Sequence, residues 1–215
     1  MISPELFHAL DKSYTKMQRA GHHTHVQPPP LDMVTELAGM MVQKQHSMSP
    51  TNKQLSKKAK ESVQWVVPRH IRQALQAHAM VDKDRTSSAL SLDFSNNVTH
   101  LWSNRQRDTL FGLQFNPLAT KFTGFSICHP MYDDEVMLKW AKHALKSAIT
   151  TTKPTTTFML LPNWKGMGTS AYTKLVRENP GFCATLAIIP KSSVTYDHQS
   201  VWIGAPTLPS PPQWD

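Results

Sequence analysis

Residues 122–134 read FTGFSICHPMYDD, and this stretch decides the fold. Residues 122–128 have the composition of a buried strand. Residues 133–149 then give the strongest helical pattern in the chain, with a wide apolar stripe and two carboxylates at the positive amino end. A strand rich in β-branched residues follows at 155–161. A strand, a helix and a strand in this order predict an α/β fold with a mostly parallel sheet.

The alternation of strands and helices continues on both sides of this stretch. The sequence predicts further strands at 88–93, 182–189 and 200–203. It predicts further helices over 3–19, 31–45, 68–81, 96–103 and 171–178. We therefore expect three parts: a helical, basic and partly disordered arm at 1–62, the α/β domain at 63–205 and a proline-rich tail at 206–215.

The chain is basic, since 23 Lys and Arg residues against 15 Asp and Glu residues give a net charge of +8. This charge suits a polyanionic partner, because each cation placed near a phosphate releases counterions. We expect RNA or DNA, in single-stranded form, as the partner. The predicted contacts are Lys53, Lys57, Lys58, Lys60, Arg69 and Arg72. The alternative interpretation of such a run is a solvated face.

Several classes of protein are disfavoured by the composition. Two cysteines make no disulfide framework and no Cys-x-x-Cys zinc motif. The first residues lack the pattern of a signal peptide, and no apolar run is long enough for a membrane span. We expect an intracellular protein, nuclear or cytoplasmic, without a membrane partner. His22, His23 and His25 lack a fourth ligand, so no metal site is predicted.

Polar and aromatic residues follow two of the predicted strands. His129 to Asp134 come directly after the strand at 122–128, and Pro162 to Trp164 come after the strand at 155–161. In open α/β sheets, ligands bind beyond the carboxyl ends of the strands. We therefore place the candidate site at this edge of the sheet.

The order of short motifs resembles the methyltransferase domain of the phosphorylated-CTD-interacting-factor family. The motifs are Asp108-x-Leu110-Phe111-Gly112, Phe115-x-Pro117-Leu118, Phe122-x-Gly124-Phe125, His129-Pro130-Met131-Tyr132-x-Asp134-Glu135-Val136-Met137 and Leu161-Pro162-x-Trp164. Members of this family are cap-adenosine N6-methyltransferases, with relatives in mobile genetic elements. The resemblance covers residues 86 to 200 and implies a Rossmann-like methyltransferase sheet, here with an N-terminal helical arm.

The resemblance implies catalytic residues at His129, Pro130, Met131 and Tyr132, where the family has Asn-Pro-Pro-aromatic. Hydrogen-bond acceptors in that tetrapeptide localise the lone pair of the adenine amine, and the aromatic residue stacks on the base. A neutral imidazole at His129 offers one acceptor nitrogen, in a suitable tautomer. Asn163 and Trp164 would shape the substrate pocket. The implied cofactor is S-adenosylmethionine, with Asp93 as its candidate contact; a helix cap is the alternative role of Asp93.

Two functions from different classes are open at this point. The first is an adenine-N6 methyltransferase that acts on RNA or DNA with the altered tetrapeptide. The second is a non-catalytic nucleic-acid-binding module, a pseudoenzyme that retains the fold and the basic surface of a methyltransferase.

Overall fold

A computed structural model describes residues 4–26, 31–48, 69–91, 100–130, 133–161, 170–189, 195–196 and 208–209. The helices predicted upstream of the sheet are confirmed as α1 (Pro4–Arg19), α2 (Met33–Met48) and α3 (Arg69–Ala79). None of the helices in the described residues is long and apolar enough to cross a membrane.

Five parallel strands form the sheet of the α/β fold. They are β1 (Lys83–Asp84), β2 (His100–Ser103), β3 (Gln114–Phe115), β4 (Gly124–Cys128) and β5 (Thr155–Met159). Their order across the sheet is β3-β2-β1-β4-β5, with every neighbouring pair parallel. This arrangement is compatible with a Rossmann-like fold. A separate antiparallel pair joins β6 (Thr195–Tyr196) to β7 (Leu208–Pro209).

The helices cover both faces of the sheet. On one face, Ile71 and Leu75 of α3 pack in a cluster with Ile127 of β4. On the other face, Trp140 of α4 (Asp134–Thr150) packs with Cys128, the next residue of the same strand. Successive side chains of a strand point to opposite faces, which places α3 and α4 on opposite sides. α5 (Ala171–Glu178) packs beside α4, and both of these predicted helices are confirmed.

Three predicted elements are wrong. The strand predicted at 88–93 is replaced by β1, which lies earlier at Lys83–Asp84, and residues 89–91 form a short 3-10 turn. The helix predicted over 96–103 is contradicted at 100–103, which form β2. Residues 182–189 form no strand, although their composition favours one, because they pair with no other described segment. The strand predicted at 200–203 lies outside the described residues.

The two N-terminal helices share a hydrophobic core with the segments that follow β1 and β2. Leu6 and Leu10 of α1 and Leu37 of α2 lie in one buried cluster with Leu90 and Phe111. The hydroxyl of Ser13 donates a hydrogen bond to the Phe111 carbonyl at 2.7 Å. The N-terminal helices therefore cover the β2–β3 half of the sheet at its connecting turns.

Three motif residues of the resemblance have structural roles. Gly112 ends the 3-10 helix Gln106–Phe111 with φ +87°, in the left-handed region that favours glycine. Gly124 opens β4 with φ +71°, and a Cβ atom there would lie 2.7 Å from Nζ of Lys83. Asp108 in the same 3-10 helix is fully buried and accepts a hydrogen bond from the Ser103 hydroxyl at 2.6 Å.

Candidate functional site at the carboxyl edge of the sheet

The candidate site lies where the direction of strand addition reverses. The chain adds β2 and β3 on one side of β1 and then adds β4 on the other side. Open α/β sheets form their ligand-binding crevice at such a reversal, so the candidate crevice is at the carboxyl ends of β1 and β4. His129 and Pro130 follow β4 directly, at the carboxyl end of an interior strand, which is where the sequence predicts them.

A chain of hydrogen bonds crosses this crevice from β1 to β4. The backbone amide of His129 donates to Oγ1 of Thr86 at 2.8 Å. The Thr86 hydroxyl is 3.3 Å from Oδ1 of Asp84, to which it donates, and the Thr86 amide donates to the same oxygen at 2.9 Å. All three residues are buried. The start of the tetrapeptide is thus fixed to the turn after β1 through side-chain contacts.

Asp84 and Thr86 are site residues that the sequence did not single out. The prediction of a strand at 88–93 placed the strand-end carboxylate at Asp93, whereas the strand ends at Asp84. The only local sequence pattern that points to them is a carboxylate followed two residues later by a threonine. This pattern favours a hydrogen-bonded turn.

The face of the sheet that α4 covers holds a buried guanidinium next to Cys128. Arg85 is 2% exposed, and its guanidinium carbon lies 4.0 Å from the Trp102 ring centroid and 4.8 Å from that of Phe122. Burial is the main cause that lowers the pKa of Arg85. Burial also raises the pKa of the neighbouring Cys128 thiol well above its ordinary value, so this thiol stays protonated.

Most of the other predicted site residues cannot be placed in this geometry. They lie outside the described residues: Asp93, Met131, Tyr132, Asn163, Trp164, Lys53, Lys57, Lys58 and Lys60. Arg69 is the first residue of α3. Arg72, also on α3, is only 7% exposed, so its guanidinium is enclosed by protein.

No family model and no curated protein matches the chain. The resemblance to the cap-adenosine N6-methyltransferases therefore stays a prediction from the motifs. Within the described residues, no group of three or more His, Cys, Asp or Glu side chains is placed to hold a metal ion.

Proposed function

We propose that the chain is an adenine-N6 methyltransferase-like protein that acts on RNA or DNA with S-adenosylmethionine, and that its site is the crevice between β1 and β4. The observation that carries this proposal is the position of His129-Pro130 directly after β4, beside the reversal of strand order. Ligands of open α/β sheets bind at such a reversal. The resembled family has its catalytic tetrapeptide after the corresponding strand.

The substrate side of the proposal rests on the tetrapeptide. The exocyclic amine of adenine is a weak nucleophile, because its lone pair is delocalised into the ring. In the proposed site, a neutral imidazole at His129 and the carbonyl of Pro130 accept hydrogen bonds from this amine and localise the lone pair. Tyr132 stacks on the base, and Asn163 and Trp164 shape the pocket. The base must be unpaired to reach these groups.

The fit of S-adenosylmethionine to the described residues is partial. The cofactor, when bound, supplies the methyl group. In the turn after β1, Thr86 and Ser87 are buried and the Thr86 hydroxyl already bonds Asp84 and the His129 amide, whereas the Ser88 hydroxyl, a group that can bond a nucleoside, belongs to a partly exposed residue. The first carboxylate after β2, that of Asp108, does not fit a cofactor contact, because it is fully buried beside Ser103. Asp93 stays the proposed acidic contact.

One observation favours the second candidate, a non-catalytic nucleic-acid-binding module. His129 is only 2% exposed, so the described arrangement encloses the imidazole that would meet the adenine amine. A catalytic role requires that this side chain become accessible when substrate binds. A module that only binds nucleic acid has no such requirement.

Calorimetric titration with S-adenosylmethionine and S-adenosylhomocysteine tests the proposal. We expect binding at one site per chain. We also expect Ser88→Tyr, which places a large ring at the crevice, to abolish this binding. The matched control is Thr152→Tyr, at an exposed turn beyond α4. A wild-type chain that binds neither compound would overturn the methyltransferase proposal and leave the binding module.

A further inference from the structure

The outward face of α4 carries three lysines in one stripe. Lys139, Lys142 and Lys146 are exposed, whereas Met137, Trp140, Ala141 and Ser147 are buried on the opposite side of the helix. At 3.6 residues per turn, the three lysines fall within about 60° of one another around the helix axis. They are about 4.5 and 6 Å apart along the axis. We define this set, with Lys121 and Lys153, as the lysine face.

Lys121 and Lys153 extend the stripe at the carboxyl end of α4. Nζ of Lys121 donates to the carbonyl of Thr150, the last residue of the helix, at 3.4 Å. Lys153 is exposed in the turn that leads to β5. The lysine face thus runs along the helix and around its end.

One carboxylate, that of Glu135, accompanies the lysine face, and it lies at the amino end of the helix. No Asp or Glu occurs from Val136 to Arg177 in the sequence. Glu135 is on the same stripe but at the end next to the candidate site, and it forms no ion pair with Lys139. Among the described residues, no carboxylate is within salt-bridge distance of any lysine of this face. A solvated helical face normally alternates both signs of charge, since Glu and Lys four residues apart stabilise a helix.

We infer that the lysine face binds the phosphate backbone of a single-stranded nucleic acid. This inference deepens the proposed function, because α4 begins just after the tetrapeptide that would receive the base. The phosphate backbone of the nucleic acid would then bind α4, and not the segment from Lys53 to Arg72 that the sequence predicts as the contact. Unpaired cations on one face release counterions when phosphates replace them, which supplies affinity without reading the base sequence.

An anionic membrane fits this surface less well. A helix that binds in the plane of a membrane needs an apolar face directed at the lipid. The apolar side of α4 is buried against the sheet and α5, and the only large apolar side chain exposed on α4 is Ile149. The phosphate backbone of a nucleic acid needs only the positive charges of the lysines for binding.

The test is the salt dependence of binding to a fluorescein-labelled oligodeoxyadenylate. The variant is Lys139→Gln with Lys142→Gln and Lys146→Gln. We expect the slope of log K against log salt to fall by about 2, at about 0.7 for each phosphate of a single strand that the variant no longer neutralises. The corresponding triple Lys→Arg variant keeps the charges and should keep the wild-type slope.

The matched control replaces three exposed cations of α1, Lys12, Lys16 and Arg19, by Gln. It removes the same net charge at nearly the same helical spacing, and its slope should equal that of the wild type. Equal losses in both triple variants would show an effect of net charge alone and overturn the inference. An unchanged slope in the α4 variant, or binding of phosphatidylserine vesicles in place of the oligonucleotide, would overturn it too. The titration with S-adenosylhomocysteine is independent of these lysines, so its failure would leave this result standing.

Discussion

The guanidinium carbon of Arg85 lies 4.0 Å from the centroid of the Trp102 ring, on the face of the sheet that α4 covers. The guanidinium also donates a hydrogen bond of 3.3 Å to the carbonyl of Thr123. No described carboxylate is within salt-bridge distance of Arg85. The negative faces of the Trp102 and Phe122 rings therefore provide much of the compensation for burying this cation.

Trp102→Leu should destabilise the fold more in the wild type than in an Arg85→Met background. In the wild type we expect a loss of about 2–4 kcal/mol, from the lost aromatic packing and the less compensated charge. In the Arg85→Met background the loss should be smaller by about 1–2 kcal/mol, because no cation remains to be compensated. Urea unfolding of the four proteins measures this coupling. Equal losses in both backgrounds would show that Arg85 and Trp102 contribute independently.

The pH dependence of stability should reflect Glu36. Its carboxylate accepts hydrogen bonds from Nε of Arg107 at 2.8 Å and from the Leu31 amide at 2.9 Å. The hydrogen bond from Arg107 is the main cause that holds the pKa of Glu36 below its ordinary value of 4.5. A lowered pKa in the folded state stabilises the fold above the ordinary pKa, and this contribution is lost as the pH falls through the lowered value. Urea unfolding should therefore show decreasing stability below about pH 5.

Glu36→Gln tests the assignment of this pH dependence. It should destabilise the fold by about 1–3 kcal/mol at neutral pH, through the lost charge-assisted hydrogen bonds. It should also flatten the decrease in acid, because the variant has no carboxyl group to protonate there. Glu178→Gln is the control: this exposed carboxylate lies 3.7 Å from Lys174, and such surface pairs contribute little. Equal acid sensitivity in the wild type and Glu36→Gln would refute the assignment.

The sequence predicts the helices better than the sheet. The apolar stripe around Trp140 extends over many residues, so α4 has a strong periodic signal. β1 consists of two residues, Lys83 and Asp84, both charged, so it has no strand pattern of its own. Its pairing with β2 and β4 comes from tertiary packing. Residues 182–189 have strand composition, yet Leu186 is 76% exposed and the segment has no pairing partner in the described part of the chain.

The sequence predicts only those features of the candidate site that depend on residues close together in the chain. The boundary between a buried strand and a helix placed His129 at the edge of the sheet. Thr86, which holds the His129 amide, is 43 residues away in sequence. No periodic pattern or motif in one sequence connects two positions that meet only through the pairing of β1 with β4.

Thr86→Val should destabilise the fold and alter the environment of His129. Valine has nearly the shape of threonine but leaves the buried His129 amide without its acceptor and removes a hydrogen bond to Asp84. We expect a loss of about 1–3 kcal/mol for these unpaired polar groups. Urea unfolding measures the loss, and the chemical shift of the His129 amide proton reports the bond itself.

Thr86→Ser is the control for this prediction. Serine keeps the hydroxyl group, so the amide shift should stay near that of the wild type, and the loss of one methyl group should cost about 1 kcal/mol. If serine and valine moved the amide shift equally, Thr86 would act through packing and not through its hydrogen bond.

His129→Asn together with Met131→Pro should raise methyl transfer to adenine, if the proposed function is correct. The double variant recreates the tetrapeptide of the resembled family. Its amide oxygen is an acceptor in every state, whereas an imidazole offers one only in a particular tautomer. Loss of one well-placed transition-state acceptor costs about 10²- to 10³-fold in rate, roughly 3–4 kcal/mol, so its restoration should be visible over a weak background. The measurement is transfer of a tritiated methyl group to a single-stranded adenine substrate.

The hydrogen bond that fixes the His129 amide makes the His129→Asn part of this variant a test of the side chain. The His129 amide, and not its imidazole, bonds Thr86, so asparagine keeps that contact. His78→Asn, at an exposed position of α3, is the control and should leave transfer unchanged. High wild-type transfer that the double variant abolishes would show that the imidazole is itself the catalytic group. If no variant transfers methyl groups or binds the cofactor, the chain is a binding module. The amide oxygen that His129→Asn introduces can have no effect when no methyl donor is bound.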